Sequence, residues 1–382
     1  MLAAALFSRG WSRLSLAGIH GRLVLAERRA FPGDVLSGRV RLINRKPLPL
    51  PWIELKRNAG PFPSRHSAFR ENSRLQSAIE NRMLAAMAEA LQNVIAMFLI
   101  MAASYVFMKK SPYPVEVVNN LVFNFFLPVT VFHSITGLQK IPAGELLVMA
   151  AAGFAAPYAM FLFSAGVARV FGIRDQFRKT FILGATYGNH VFLGFPVCYA
   201  FLGERGMILA MFFTIGGYFF LYGVGTYIMT GRVTPAAVFK NPLILAMGAG
   251  CLCVALHFSI PSVLSHTFSL MNTATFPLSM MVVGGGLKLR FFTDRRKMLF
   301  TVCASVIKLA IVPLAAWGVG LAAGLPHDQL AICVLQSAMP AAVLVTIFSV
   351  QYDADPVFSN AIVSLTTLAC MGTIPVLFFL LK

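Results

Sequence analysis

The middle of one apolar stretch, residues 179–202, reads Tyr187-Gly188-Asn189-His190-Val191-Phe192-Leu193-Gly194-Phe195-Pro196. Two glycines, an amide and a proline within ten residues favour an unwound segment, because proline lacks an N–H and glycine is a poor helix former. In lipid, the backbone groups freed by such a break must be satisfied by protein, water or ligand. The break also points the N-terminus of a half-helix at the gap, and such an N-terminus favours an anion. The segment therefore indicates an anion-binding site inside a membrane.

The composition places most of the chain in lipid. Of 382 residues, 58% are hydrophobic and only 12% are charged, which is too little polar surface for a water-soluble globule of this size. From residue 90 onward we predict ten transmembrane helices in an all-α polytopic membrane protein. The predicted spans are 90–108, 115–135, 145–170, 179–202, 207–229, 241–259, 264–287, 298–322, 328–350 and 357–381.

Prolines recur at matching places in the first and last five spans. The matched pairs are Pro128 with Pro277, Pro157 with Pro313, and Pro196 with Pro340. Because five is an odd number, the second half must enter the membrane upside down relative to the first. Inverted five-helix repeats with broken helices at corresponding positions indicate a transporter whose substrate site lies near the midplane. The alternative is that the prolines cause ordinary kinks, since proline is common in transmembrane helices.

The basic residues set the predicted orientation. The net charge is +18, but the charges lie in an N-terminal tail and in short loops, so nucleic acid is not an expected partner. Loops after odd-numbered spans hold 13 Lys and Arg residues, and loops after even-numbered spans, with the C-terminus, hold three. By the positive-inside rule the odd loops are cytoplasmic, so both ends of the ten-helix region face outward from a bacterial inner membrane.

The chain divides into four predicted parts. Residues 1–82 form a basic extension with 15 of the 32 Lys and Arg residues, and its alternating pattern between Arg22 and Leu55 suggests two or three strands. Translocating so many basic residues is disfavoured, so we expect the functional protein to begin near Met83, with the tail a fused remnant or an over-extended reading frame. The first repeat spans 83–230, a linker spans 231–240, and the second repeat spans 241–382.

Polar residues beside the breaks are the candidate substrate contacts. Asn189, with Gly188 beside it, can both donate and accept, although an interhelical hydrogen bond is the alternative for a membrane asparagine. Gln336 and Ser337 precede Pro340 at the corresponding depth of the ninth span, and Asn124 precedes Pro128 in the second.

Three basic side chains in the spans have open roles. Lys308 is the only charged residue well inside a span, and it either attracts an anion or extends to the nearby cytoplasmic edge. His133 is either a packing residue or a proton carrier. His190 is expected to project from a different face from Asn189.

No pattern in the sequence points to catalysis, a cofactor or a metal. The six cysteines lie in apolar runs without C-x-x-C pairs or histidines at ligand spacing, and no phosphate loop or nucleophile elbow occurs. We therefore expect a protein that is not an enzyme.

Taken in order, several motifs resemble the auxin efflux carrier family, whose bacterial members include malate and malonate permeases. The resemblance covers roughly residues 83–382. The motifs are Asn119-Asn120-Leu121-Val122 with Leu127-Pro128-Val129-Thr130-Val131-Phe132, Gly188-Asn189 with Gly194-Phe195-Pro196, Asn241-Pro242, Ala338-Met339-Pro340, and Tyr352-Asp353-Ala354-Asp355.

The resemblance implies two inverted repeats with a scaffold part and a transport part. It implies that the fourth and ninth helices cross at Pro196 and Pro340, and that Asn189 contacts substrate. The ten-residue linker departs from the long hydrophilic loop of plant exporters, which favours a small dicarboxylate over auxin. We expect alternating-access transport of a small organic anion, with a gated anion pore as the alternative. The sequence leaves open whether transport is coupled to a proton or a sodium ion, and whether the protein forms a homodimer.

Overall fold

The computed structural model describes residues 19–25, 38–44, 92–112, 114–137, 141–288 and 294–381. The chain forms two compact units, residues 1–92 with 378–382 and residues 93–377. In the first unit, strand β1 (Ile19–Leu25) pairs antiparallel with strand β2 (Gly38–Asn44). These are two of the strands expected near Arg22 to Leu55, and the rest of the predicted extension lies outside the described residues.

Eleven helices follow among the described residues, here numbered in chain order. They are α1 (Gln92–Lys110), α2 (Val115–Thr136), α3 (Ala143–Val170), α4 (Asp175–Thr186), α5 (Gly194–Thr230), α6 (Pro242–Ala255), α7 (Ser262–Gly285), α8 (Arg295–Ala322), α9 (His327–Ser337), α10 (Val343–Gln351) and α11 (Pro356–Leu381). A short 3-10 helix (Pro235–Lys240) lies in the predicted linker.

Six of these helices, α1, α2, α3, α5, α8 and α11, are long and apolar enough to cross a bilayer. The second unit is therefore that of a multi-pass membrane protein. Two predicted spans differ from the observed helices in a systematic way. The stretch 179–202 is divided between α4 and α5, and the stretch 328–350 is divided between α9 and α10. Both divisions fall where glycine or proline weakens the helix.

The fourth and fifth predicted spans follow each other directly, with a sharp kink between them. The range given for α5 covers two helices, which meet at a kink at Leu202 and Gly203 where the dihedral angles leave the helical region. Gly203 has φ +61°, a left-handed conformation that glycine adopts without steric cost. The predicted end of the fourth span at residue 202 therefore coincides with a break in the helix, where Leu202 and Gly203 allow the chain to change direction. Helix α6, at 14 residues, is also shorter than the predicted stretch 241–259.

Wide π-helical turns interrupt three of the long helices. They span Val122–Phe126 in α2, Leu221–Gly225 in α5 and Ile307–Ile311 in α8. The turns in α2 and α8 lie directly before Pro128 and Pro313. A proline inside a helix removes one hydrogen bond and its ring clashes with the preceding turn, and a widened turn gives the ring room. Such turns are frequent at functional sites, and the turn in α8 carries Lys308.

The most deeply buried parts of the molecule are the two divided spans. Every residue of 180–198 and of 329–342 is buried. Around them, the lipid-facing helices expose large apolar side chains such as Leu147 and Leu245. This arrangement follows from the bilayer as solvent, since non-helical backbone is tolerated at membrane depth only where protein surrounds it.

Candidate functional site

The first break lies between α4 and α5. Helix α4 ends at Thr186, and the chain returns to helix only at Gly194. Inside the break, the N–H of His190 donates to the carbonyl of Gly188 at 2.9 Å, and the N–H of Gly194 donates to the carbonyl of Asn189 at 3.0 Å. The segment is therefore a compact, internally bonded turn rather than a loose loop. It starts α5 at the depth of the buried core.

The second break lies between α9 and α10, at residues 338–342. Pro340 has no N–H to donate, and the N–H of Ala341 donates to the hydroxyl of Thr366 on α11 at 3.1 Å. The N–H of Met339 donates to the carbonyl of Gln336 at 3.3 Å. Thr366 thus supplies an acceptor that the broken helix cannot provide.

The two breaks meet and bond to each other. The N–H of Asn189 donates to the carbonyl of Pro340 at 2.7 Å, and the N–H of Ala342 donates to the carbonyl of Tyr187 at 3.1 Å. Gly188 lies opposite Ala341 in this short antiparallel bridge. Backbone groups that would be unsatisfied in lipid are therefore paired across the two halves of the chain. We call this bridge, together with the helix ends that it joins, the crossing.

Gln336 packs across the crossing against α5. Its amide nitrogen donates to the carbonyl of His190 at 3.3 Å. Its Oε1 lies 2.4 Å from the point where a Cβ on Gly194 would stand. Only glycine at position 194 leaves room for this approach, so the predicted residues Gln336 and Gly194 are in direct contact.

Lys308 reaches the crossing from α8. Its ammonium donates to the carbonyl of Ser337 at 2.8 Å, and the side chain is completely buried. An extension to a cytoplasmic edge would leave the ammonium in water, and the observed burial does not fit that alternative. No carboxylate among the described residues lies within ion-pairing distance of Lys308. The crossing therefore holds a cationic side chain with backbone carbonyl, but no counter-ion, beside it.

His190 lies in the same cluster. The Nε2 atom stands 2.8 Å, and the Lys308 ammonium 3.1 Å, from the point where a Cβ on Gly188 would be. The ring packs against Tyr187 and Phe213, with centroids 5.0 and 5.3 Å away. The helical geometry behind the expected separation from Asn189 does not apply here, because this segment is not a helix. The sequence signal for His190 was its place between Gly188 and Gly194.

Three buried polar atoms around the crossing have no hydrogen-bond partner among the described residues. They are His190 Nδ1, Gln336 Oε1 and Ser337 Oγ. Leaving such an atom unsatisfied costs about 1–3 kcal/mol, so native proteins rarely keep several of them together. All three belong to residues that contact one another or Lys308 at the crossing.

The other predicted residues lie away from these contacts. Asn124 is exposed, and its amide donates to the carbonyl of Asn120 one turn earlier. His133 is partly buried near the end of α2, where its ring packs against Phe268. The Pro128 and Pro277 helices meet through a hydrogen bond of 2.7 Å between the hydroxyls of Thr130 and Thr275. The structure therefore groups Gly188, Asn189, Gly194, Gln336, Ser337, Pro340 and Lys308, with Pro196 two residues beyond Gly194 in the first turn of α5.

Two features at loop ends were missed by the sequence reasoning. Arg205 donates to Glu145 of α3 at 2.7 Å and to Asp328 of α9 at 2.9 Å. A cavity of about 550 Å³ opens elsewhere, among the ends of α2, α7, α10 and α11. Its polar lining residues are Glu116, Lys288, Thr346, Gln351 and Asn360. The three charges of the Arg205 cluster are far apart in the sequence, so only the fold brings them together. Among the described residues, no group of His, Cys, Asp or Glu side chains could hold a metal ion.

Comparisons with known proteins relate the chain to membrane transporters. The chain is 25% identical to an uncharacterized transporter of Methanocaldococcus jannaschii over 286 residues, which are 68% of this chain and 89% of that protein. It is 26% identical to an uncharacterized transporter of Methanothermobacter thermautotrophicus over 201 residues, which are 50% of this chain and 65% of that protein. The profile of the membrane transport proteins, an auxin efflux carrier-like family, matches residues 89–238 and 231–378. These matches cover well over half of the chain and confirm the resemblance seen in its motifs, so this protein belongs to that family of membrane transport proteins.

Proposed function

We propose that this protein is a secondary carrier that moves a small organic anion, such as a dicarboxylate, across the cytoplasmic membrane by alternating access. The observation that carries the proposal is the buried ammonium of Lys308 at the crossing of two broken helices. An intramembrane cation is costly and is kept where it serves a ligand or a partner. A carboxylate is the complementary ligand, because it can accept from the ammonium and from the start of α5 or α10.

The proposed architecture is ten spans in two inverted repeats, residues 83–230 and 241–382, joined by 231–240. In this reading α4 with the start of α5 is the fourth span, the rest of α5 is the fifth, and α9 with α10 is the ninth. In an inverted repeat, a twofold axis in the plane of the membrane relates the two halves. Equivalent elements that lie on this axis contact each other. The fourth span bonds the ninth through Asn189 and Pro340, and the second bonds the seventh through Thr130 and Thr275. Both contacts are those that the repeat predicts.

A further pair of contacts fits the same symmetry. Gly284 of α7 lies against the backbone of Met101 on α1. Gly250 of α6 lies against Ile135 on α2. Exchanging the two halves turns the contact between the first and seventh spans into one between the sixth and second. The two close approaches are therefore equivalent under the proposed inverted repeat.

The two loop-end features suggest which way the carrier faces. By the positive-inside rule, Lys288 follows an odd-numbered span and lies on the cytoplasmic side, whereas Arg205 follows an even-numbered one. The cavity beside Lys288 then opens inward, and the Arg205 cluster ties α3 to α9 on the outer side. In alternating access one side closes while the other opens. The Arg205 cluster supports closure of the outer side, while the crossing itself is buried and contributes no residue to the lining of the cavity.

Uptake of labelled malate and malonate into proteoliposomes holding the full chain tests the proposal. We expect saturable uptake, and an Asn189→Ala variant with at least a tenfold weaker apparent affinity. This estimate corresponds to the loss of about 1.5 kcal/mol or more from a hydrogen bond to a charged group. Asn93→Ala, which changes an exposed amide at the start of α1, is the matched control.

Each failure has a distinct meaning. If folded protein takes up neither acid, the dicarboxylate assignment is wrong. If uptake rises linearly with concentration without saturation, a pore of the same architecture replaces the carrier. Uptake that is equal in Asn189→Ala and the wild type contradicts the placement of the site at the crossing.

A further inference from the structure

Two neighbouring bases share the crossing, and neither has a carboxylate partner in the described part of the chain. The Nε2 of His190 and the ammonium of Lys308 lie 2.8 and 3.1 Å from one point above Gly188, so their separation cannot exceed the sum of these distances. Both side chains are buried, at 4% and 0% exposure. Placing two positive charges so close together in a buried site is strongly unfavourable. The pair therefore cannot easily be doubly charged when the site is empty.

Among the described residues, the side chains around the pair carry no opposite charge, so a bound ligand determines whether the pair holds a proton. The titratable side chain packed against His190 is Tyr187 from the break, and Tyr218 of α5 lies near Tyr187. Helix α9 contributes Gln336 and Ser337, and α11 contributes Thr366, which are all neutral. No carboxylate among the described residues faces the pair. A bound anion is thus the charge that would stabilise a proton at this place.

We propose that His190 and Lys308 form a proton-carrying pair that couples movement of the anion to movement of a proton in the same direction. This inference rests on the proposed function and assigns its coupling ion. Lys308 holds the proton while the anion is bound, because the two opposite charges offset each other. After the anion leaves, the ammonium gives its proton to the imidazole of His190, which passes it to water on the releasing side. The empty pair is then free to reorient without the charge.

The same geometry argues against sodium as the coupling ion. A sodium ion at the crossing would stand beside the ammonium of Lys308 and would have no described carboxylate to neutralise it. The Ser337 carbonyl, which could otherwise be an oxygen ligand, already accepts from that ammonium. A proton needs no such cage of oxygen ligands, because the two bases bind it themselves.

The unpartnered Nδ1 of His190 fits a transfer role. It has no acceptor or donor among the described residues, and it lies 3.2 Å from the point where a Cβ on Gly217 would stand. A histidine held only for packing would gain from a partner at this nitrogen. A free nitrogen on the far side of the ring from Lys308 lets the imidazole take a proton at one end and release it at the other.

The test measures labelled malonate accumulation in proteoliposomes with the membrane potential clamped at zero and the outside one pH unit more acidic. For one coupled proton we expect about tenfold accumulation, which is collapsed by a protonophore and absent from protein-free liposomes. Counterflow, in which unlabelled malonate inside drives entry of labelled malonate, is measured on the same vesicles. The readout is accumulation driven by the pH gradient relative to counterflow.

His190→Gln removes the titratable group and keeps a polar side chain of similar size. We expect this variant to lose pH-driven accumulation while counterflow stays measurable, and His266→Gln, on the exposed face of α7, to behave like the wild type. Accumulation by His190→Gln equal to that of the wild type overturns the role of His190. Wild-type counterflow without any pH-driven accumulation overturns coupling to protons and leaves the carrier standing. Because this last result needs only the wild type, a misfolded variant cannot obscure it. Absence of wild-type counterflow overturns the proposed function itself, and this inference with it.

Discussion

The backbone N–H of Asn189 donates to the carbonyl of Pro340 at 2.7 Å, although 151 positions separate the two residues in the sequence. A second bond, from Ala342 to Tyr187, closes the bridge. Separating the two breaks would leave these four groups unpaired in a buried, water-poor place. We therefore expect α4, α5, α9 and α10 to move together near the crossing, while α2 and α7, joined through Thr130 and Thr275, form part of the body against which they move.

Gly194→Ala should impair transport by pushing the two breaks apart. A Cβ at this position would stand 2.4 Å from Gln336 Oε1, so the amide or the start of α5 must shift. Overpacking of this kind costs about 1–3 kcal/mol. We expect a lower melting temperature in detergent and uptake of malonate reduced by more than the loss of folded protein.

Gly166→Ala is the matched control for this substitution. Gly166 also lies inside a helix, α3, but a Cβ there would meet no atom within 4 Å. Alanine is the better helix former by up to about 1 kcal/mol, so this variant should be as stable as the wild type or slightly more stable. Equal transport by Gly194→Ala and Gly166→Ala would show that the contact with Gln336 is not needed.

Lys308→Met should weaken anion binding without unfolding the protein. Methionine has a similar length and is apolar, and replacing a buried charge that lacks a counter-ion by an apolar group often costs little stability. Loss of a charge-assisted hydrogen bond to the anion should raise the half-saturation concentration for malonate by about tenfold or more.

Lys240→Met, in the exposed linker, removes the same charge away from the crossing and should leave uptake unchanged. Thermal melting of both variants separates folding from binding. A half-saturation concentration in Lys308→Met that matches the wild type would exclude Lys308 from the anion site.

The hydroxyl pair between α2 and α7 should contribute a small, measurable coupling. Thr275 also donates to the carbonyl of Met271 at 2.8 Å, so Thr130→Val does not leave it unsatisfied. We expect each single valine substitution to cost about 1 kcal/mol and a double-mutant cycle to give a coupling near 0.6 kcal/mol, which is typical of hydrogen bonds between membrane helices. Strictly additive effects on the free energy of unfolding would show that the two hydroxyls do not interact.

The sequence predicted the breaks better than it predicted their partners. Glycine and proline act locally, so Gly188 and Pro340 could be placed in unwound segments, and Gly194 at the edge of one, from their neighbours alone. Which backbone groups those segments would bond to depends on where two halves of the chain meet in space. The pairing of Asn189 with Pro340 therefore came only from the fold.

Lys308 and His190 show the same limit for side chains. The long side chain of a lysine can reach either a neighbouring helix or the membrane edge. Lys308 lies in the widened turn before Pro313, and such a turn has no simple sequence signature. The predicted direction of the His190 side chain assumed a helix, and this assumption does not hold in a segment that is not helical. The predicted end of the fourth span at residue 202, by contrast, coincides with the non-helical angles of Leu202 and Gly203.

Counterflow is the most direct test of the central claim, that a single buried site at the crossing carries the anion from one side to the other. Proteoliposomes holding the full chain are loaded with excess unlabelled malonate, diluted into a trace of labelled malonate, and followed over time with the wild type and with Asn189→Ala. We predict a transient overshoot of label inside the wild-type vesicles that saturates with external malonate and is strongly reduced in the variant. A monotonic rise to equilibrium with no overshoot, at any internal concentration, would contradict a carrier.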